Sequence, residues 1–169
     1  MSDRVSKTKA RACRGGAPVG YLEEFGELEA SAILYMRLWC AGPEARRRVC
    51  EDFLAFLGPK RGEIAFMRLG SLLRRLHEFG RRPLIRHHET CRCVGGDEAA
   101  FANMVAAAAS QDREDAALLA TNFMRADMAM LTVALAQEFG LSLKLLVNAL
   151  SDVQAKSHPA KTADARTIH

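Results

Sequence analysis

Leu28-Glu29-Ala30-Ser31-Ala32-Ile33-Leu34-Tyr35-Met36-Arg37-Leu38-Trp39-Cys40-Ala41-Gly42-Pro43 is the stretch that decides the fold. Its residues Leu28, Ala32, Tyr35, Met36 and Trp39 recur at i, i+4, i+7, i+8 and i+11, the spacing that lines one face of an α-helix. Gly42-Pro43 closes that helix and opens another, because proline is accepted in a first helical turn and not in a helix interior. The spacing predicts a first helix over roughly 21–41.

The same period continues outward. Val49, Phe53, Phe56 and Leu57 line a second helix stopped by Gly58-Pro59. Ala65, Leu69, Leu72, Leu73 and Leu76 line a third, which frays at Gly80 before Pro83 forces extended backbone ahead of it. Residues 81–96 show neither helical period nor strand alternation. Beyond them Asp97 stands at an expected N-cap, followed by Phe101, Met104, Val105 and Ala108 on one face. Asp112 is expected to cap a helix carrying Ala116, Leu119, Ala120 and Phe123. Asp127 is expected to cap another that runs to Gly140, with a last short helix over 141–150. No run of alternating β-branched residues is found. The expected fold is therefore all-α: a single-domain irregular bundle of about seven helices with a central irregular Cys/His loop. The Ala-rich helices over 97–110 and 113–125 should approach closely. Residues 1–18 are read as a basic disordered tail, 19–151 as the helical domain, and 152–169 as a second disordered tail.

The 169 residues are 49% hydrophobic and 26% charged, enough apolar material for one real core. No stretch of about 18 uninterrupted apolar residues occurs, and Met1 to Arg14 carry charges with no apolar run behind them. The expectation is a cytoplasmic chain with no membrane span and no secretory signal. The formal net charge is +4. Arg4, Lys7, Lys9, Arg11 and Arg14 against Asp3 place that surplus in the leading tail. Within the body, nine basic residues over 60–93 face seven acidic ones over 94–140. That asymmetry reads as two segments that pack together and neutralise, with a basic face for an anionic partner as the other reading. Five cysteines are an odd number, so reduced thiols are the default, with Cys40 and Cys50 as small core residues.

Chemistry concentrates in Arg86-His87-His88-Glu89-Thr90-Cys91-Arg92-Cys93-Val94-Gly95-Gly96-Asp97-Glu98. Zinc prefers thiolate and imidazole in a tetrahedral set, so His87, His88, Cys91 and Cys93 make a complete ligand list. Adjacent His87 and His88 point to opposite sides of an extended backbone, so one of them faces away. The fourth ligand would then be His77, Asp97, Glu98, Cys40, Cys50 or water. Two other readings stand beside the metal: a loop of exposed histidines and packed reduced thiols, and a redox role with Cys91 and Cys93 joined.

A competing signal lies in residues 131–146. Leu135-Ala136, followed by Gly140-Leu141-Ser142, resembles the turn of helix-turn-helix DNA-binding proteins. The resemblance, over about 20 residues, implies that Ala136 lets two helices approach, Gly140 turns the chain, Leu141 plugs the core and Ser142 caps the second helix. That second helix offers Leu143, Leu145, Leu146, Val147 and Leu150, with Lys144 and Asn148 as its only polar readers of a groove.

The leading expectation is a non-catalytic regulatory or adaptor protein whose central loop binds zinc, with a protein partner or a homodimer as its means of action. One alternative is a DNA-binding regulator acting through residues 129–150. Another is a metal-dependent hydrolase with an open coordination position beside Glu89 or Glu98.

Overall fold

A computed structural model describes residues 14–157. A short turn over Arg14–Gly16 leads into strand β1 (Pro18–Tyr21), and a second over Leu22–Glu24 leads to helix α1 (Glu27–Ala41). Helices α2 (Pro43–Leu57) and α3 (Pro59–Phe79) follow directly. After an irregular connection come strand β2 (Cys93–Gly95), then α4 (Gly96–Ala109), α5 (Arg113–Ala120) and α6 (Ala126–Ser157). The fold is all-α, with one two-stranded antiparallel ribbon in which Pro18 pairs with Gly95, Gly20 with Val94 and Tyr21 with Cys93.

The breaks between α1, α2 and α3 fall at Gly42 and Gly58, whose φ values of 132° and 78° suit glycine, with Pro43 and Pro59 opening the next helix. Asp112 caps α5 as expected, its side chain accepting from the Asp115 amide. Other boundaries differ from the reading of the sequence. Helix α1 begins at Glu27, because Leu22–Glu24 forms a tighter turn and Phe25 is extended. Helix α4 starts at Gly96, which puts Asp97 inside its first turn, and Asp127 likewise lies inside the first turn of α6.

The described residues form six α-helices, and the difference from seven lies at Gly140. Helix α6 is continuous through it, so the turn that resembles helix-turn-helix proteins is absent. The reason is packing: a Cβ on Gly140 would stand 2.9 Å from both the Ala109 Cβ and the Val105 carbonyl oxygen of α4. Glycine here lets two helices touch rather than letting one turn. Ser142, expected as a cap, instead donates to the Glu138 carbonyl one turn earlier, as a hydroxyl does within a continuing helix.

Helix α6 packs against each of the other five helices, α4 above all. Its Ala129, Val133, Ala136, Phe139, Leu143 and Leu146 are buried, opposite Phe101, Met104 and Val105 of α4 and Leu69, Leu72 and Leu76 of α3. By length and composition Ala126–Val153 would also serve to cross a membrane, with a mean hydropathy of 1.5. A helix at the centre of a bundle passes the same test, because it too is apolar on most of its circumference.

Structure begins inside the expected leading tail, at Arg14, and α6 runs past residue 151 into the expected trailing one. The rest of those two segments, 1–13 and 158–169, lies outside the described residues. Ion pairs join the basic and acidic segments at Arg82–Asp97 and Arg68–Glu138.

Candidate metal centre

The connection between α3 and β2 is held from within by one buried ion pair. Arg37, on α1, and Glu98, in the first turn of α4, both have fully buried side chains. Arg37 Nε donates to Glu98 Oε1 at 2.7 Å and Nη2 to Oε2 at 2.8 Å, a two-pronged contact that fixes both planes. The remaining donors reach into the loop, with Nη1 2.6 Å from the Cys91 carbonyl and Nη2 2.8 Å from that of Cys93. Glu98 in turn accepts from the His87 amide at 2.9 Å and the Gly95 amide at 2.8 Å. Burial pushes the Glu98 carboxyl up, but the bonds from Arg37, Gly95 and His87 outweigh it and hold it below its ordinary value.

Asp97 repeats the device one residue earlier. Its carboxylate receives Arg82 at 2.5 and 2.7 Å and the Ile85 amide at 2.9 Å. Burial raises its pKa, and Arg82 with the Ile85 amide brings it net below the ordinary value. Arg86 donates to the Cys40 carbonyl at 2.8 Å and ties the loop to the end of α1.

Within this frame His87, Cys91 and Cys93 converge. Their ligand atoms all lie within 4.8 Å of one another, and the group could hold a metal ion. His87 Nδ1 lies 3.0 Å from Cys93 Sγ and 3.7 Å from Cys91 Sγ. On the far side of the ring, Nε2 is 2.8 Å from the Gly16 carbonyl oxygen. A carbonyl only accepts, so Nε2 carries a proton, and in the neutral ring the Nδ1 lone pair then faces the two sulfurs. The i, i+2 spacing of the cysteines along extended backbone sets both thiols on one side. The two sulfurs also stand at disulfide distance from one another.

The other residues considered for this site lie elsewhere. His88 turns away to Thr90, its Nδ1 3.0 Å from that hydroxyl, and so leaves the ligand list. Asp97 and Glu98 are taken up by arginines. His77 and Cys40 line a separate small cavity with Met36, Leu73, Leu76 and Leu84. Cys40 and Cys50 are half-buried, and burial pushes the Cys40 thiol up against the opposing pull of Arg86. Glu89 pairs at 3.3 Å with Arg48 of α2 and lines a cavity of about 360 Å³ with Tyr35, Leu38 and Asp52.

Sequence reasoning missed two parts of the site: Arg37 and the Gly16 carbonyl. Arg37 carried a signal, being the sole charged residue among residues 30–43. The Gly16 carbonyl carried none, since a backbone acceptor leaves no mark on the side-chain pattern.

No family model, no curated protein and no solved structure matches this chain.

Proposed function

We propose that His87, Cys91 and Cys93 hold one zinc ion in a structural role, and that the protein is a regulatory or adaptor molecule rather than an enzyme. The observation that carries this reading is the orientation of His87. Its Nδ1 lone pair faces two sulfurs while Nε2–H is held by a carbonyl, the arrangement by which proteins fix the tautomer of a metal-binding imidazole. A mixed nitrogen and sulfur donor set suits zinc before calcium or magnesium. An ion here would join β2 to the connection after α3, while His87 Nε2 holds the Gly16 carbonyl of the leading turn.

Elemental analysis of tag-free protein prepared under reducing conditions tests this directly. About one zinc per chain is expected, lost in C91S/C93S together with a marked drop in Tm. A hydrolase with an open coordination position would lose metal in the same variant and keep its Tm. Protein that carries no metal and takes up none from added zinc would end the proposal.

The second reading is a dithiol–disulfide pair at Cys91 and Cys93, favoured by the bonding distance between their sulfurs. The two readings exclude each other in any one molecule, because joined sulfurs have no thiolate charge to give a metal. Thiol titration of unfolded protein separates them: a disulfide leaves three of the five cysteines reactive, whereas a metal site releases all five.

A further inference from the structure

We infer that the cavity bordered by α1, α2, α6 and Glu89 binds a small organic monocation, an ammonium group carried on an apolar body. None of the residues that carry this inference is a proposed zinc ligand, so it stands or falls apart from the metal reading.

The cavity holds about 360 Å³, a volume within the range of small-molecule sites. Ser31, Leu34, Tyr35 and Leu38 recur at i, i+3, i+4 and i+7, so α1 lays one continuous face along it. Leu150 of α6 adds a third leucine. The Tyr35 ring meets Phe53 edge-on with centroids 4.8 Å apart, which fixes that wall before any ligand arrives.

The polar lining is short of positive charge. Arg48 and Asp52 stand one turn apart on α2, and Glu89 comes from the loop, two carboxylates against one guanidinium. Arg48 gives its hydrogen bond, at 3.3 Å, to Glu89 Oε1. Glu89 Oε2 is shielded from solvent and is the one buried side-chain nitrogen or oxygen among the described residues that has no hydrogen-bond partner. A buried carboxylate oxygen without a donor is costly, and the terminal torsion of glutamate is broad enough to turn it toward the cavity it borders.

Asp52 is in a related position. Burial raises its carboxyl, and the bond from Tyr35 with the charge of Arg48 does not bring it back to its ordinary value. Burial, with the Asp52 charge beside it, also raises the Tyr35 hydroxyl, which therefore keeps its proton and donates it to Asp52. The acceptors thus outnumber the donors, and the missing charge is a single positive one. An ammonium group brings that charge and three N–H donors together. A carboxylate ligand would meet repulsion from Asp52 and Glu89, and an uncharged one would leave their excess charge in place. The leucines and the Tyr35 ring take the apolar body.

Calorimetric titration of the native, full-length protein with phenethylamine tests this, in phosphate buffer at physiological ionic strength, where weak surface attraction is screened. Saturable binding at a single site is expected. Phenethyl alcohol and hydrocinnamate keep the ring and make the head neutral or negative, and each should bind about tenfold more weakly or worse. That series needs no variant. E89Q keeps the shape of the side chain and removes its charge, and it should weaken the amine roughly ten- to a hundredfold. Leu34→Trp, at a position 39% exposed, should fill the cavity and abolish binding while the fold stays intact by circular dichroism. Equal affinity for the three ligands would overturn the inference. So would an amine affinity indifferent to both substitutions, or no binding of the amine at millimolar concentration.

Discussion

Arg37 and Glu98 do more than neutralise one another. Between them they bond the carbonyls of Cys91 and Cys93 and the amides of His87 and Gly95, four backbone groups of the loop. Many buried ion pairs can be exchanged for apolar residues at little cost, because removing both charges together removes the penalty of burying either. That exchange should fail here. Arg37→Met leaves a buried carboxylate without its counter-ion and should cost about 3–5 kcal/mol. R37M/E98L removes both charges but leaves two amides and two carbonyls short of partners, each costing roughly 1–3 kcal/mol if buried. The double variant should therefore remain several kcal/mol below the wild type, read from the urea midpoint at constant m value. Recovery of the wild-type midpoint by R37M/E98L would show that the pair is a mere charge balance and not the frame of the loop.

The elements differ in how far the sequence announces them. Helices α1 to α3 are legible because two Gly-Pro steps state their ends and an apolar face states their direction, both local signals. The β1–β2 ribbon is illegible for the opposite reason. Pro18–Tyr21 and Cys93–Gly95 lie more than 70 residues apart, are rich in glycine, and show no alternation. The donors His87, Cys91 and Cys93 are legible from their density alone, whereas the frame that aims them depends on Arg37, 61 residues from its carboxylate. Gly140 was readable in two ways, since glycine serves a turn and a close helix contact equally well. Its role in α6 has a consequence for substitution. In an exposed helix interior Gly→Ala stabilises by roughly 0.5–1 kcal/mol, through backbone entropy. At Gly140 the new methyl group would press on the Val105 carbonyl and the Ala109 side chain of α4, neither of which can swing aside. G140A should thus destabilise by about 1–3 kcal/mol, the cost of overpacking. Pairing it with A109G should return part of that loss, because the second change removes one of the two obstructing groups. Stabilisation by G140A alone would mean that α4 and α6 do not touch there.

At the scale of the whole molecule the distribution of charge decides where an anionic partner can be met. The described residues 14–157 contain 18 basic and 18 acidic side chains, so the folded body carries no net charge at neutral pH. The surplus lies outside it, with Arg4, Lys7, Lys9 and Arg11 against Asp3 in the first 13 residues. Continuity of α6 through Gly140 removes the one feature that resembled a base-reading turn, and the helix lies at the centre of the bundle with its buried face committed to the core. DNA affinity in this chain should then be counterion release from a short basic segment, weak, indifferent to sequence, and steeply reduced by salt. Deleting residues 1–12 removes three of the four units of net positive charge. It should abolish retention on duplex DNA at low salt while leaving Tm and zinc content as they were. The opposite result would locate the contact on the body. If the shortened chain kept its affinity and its salt slope, the arginines of α3 would be the surface to mutate next, beginning with Arg74 and Arg75 beside Ser71 and Glu78. The local excess of base between 60 and 93 would then act on a partner, beyond its ion pairs with the acidic half of the fold.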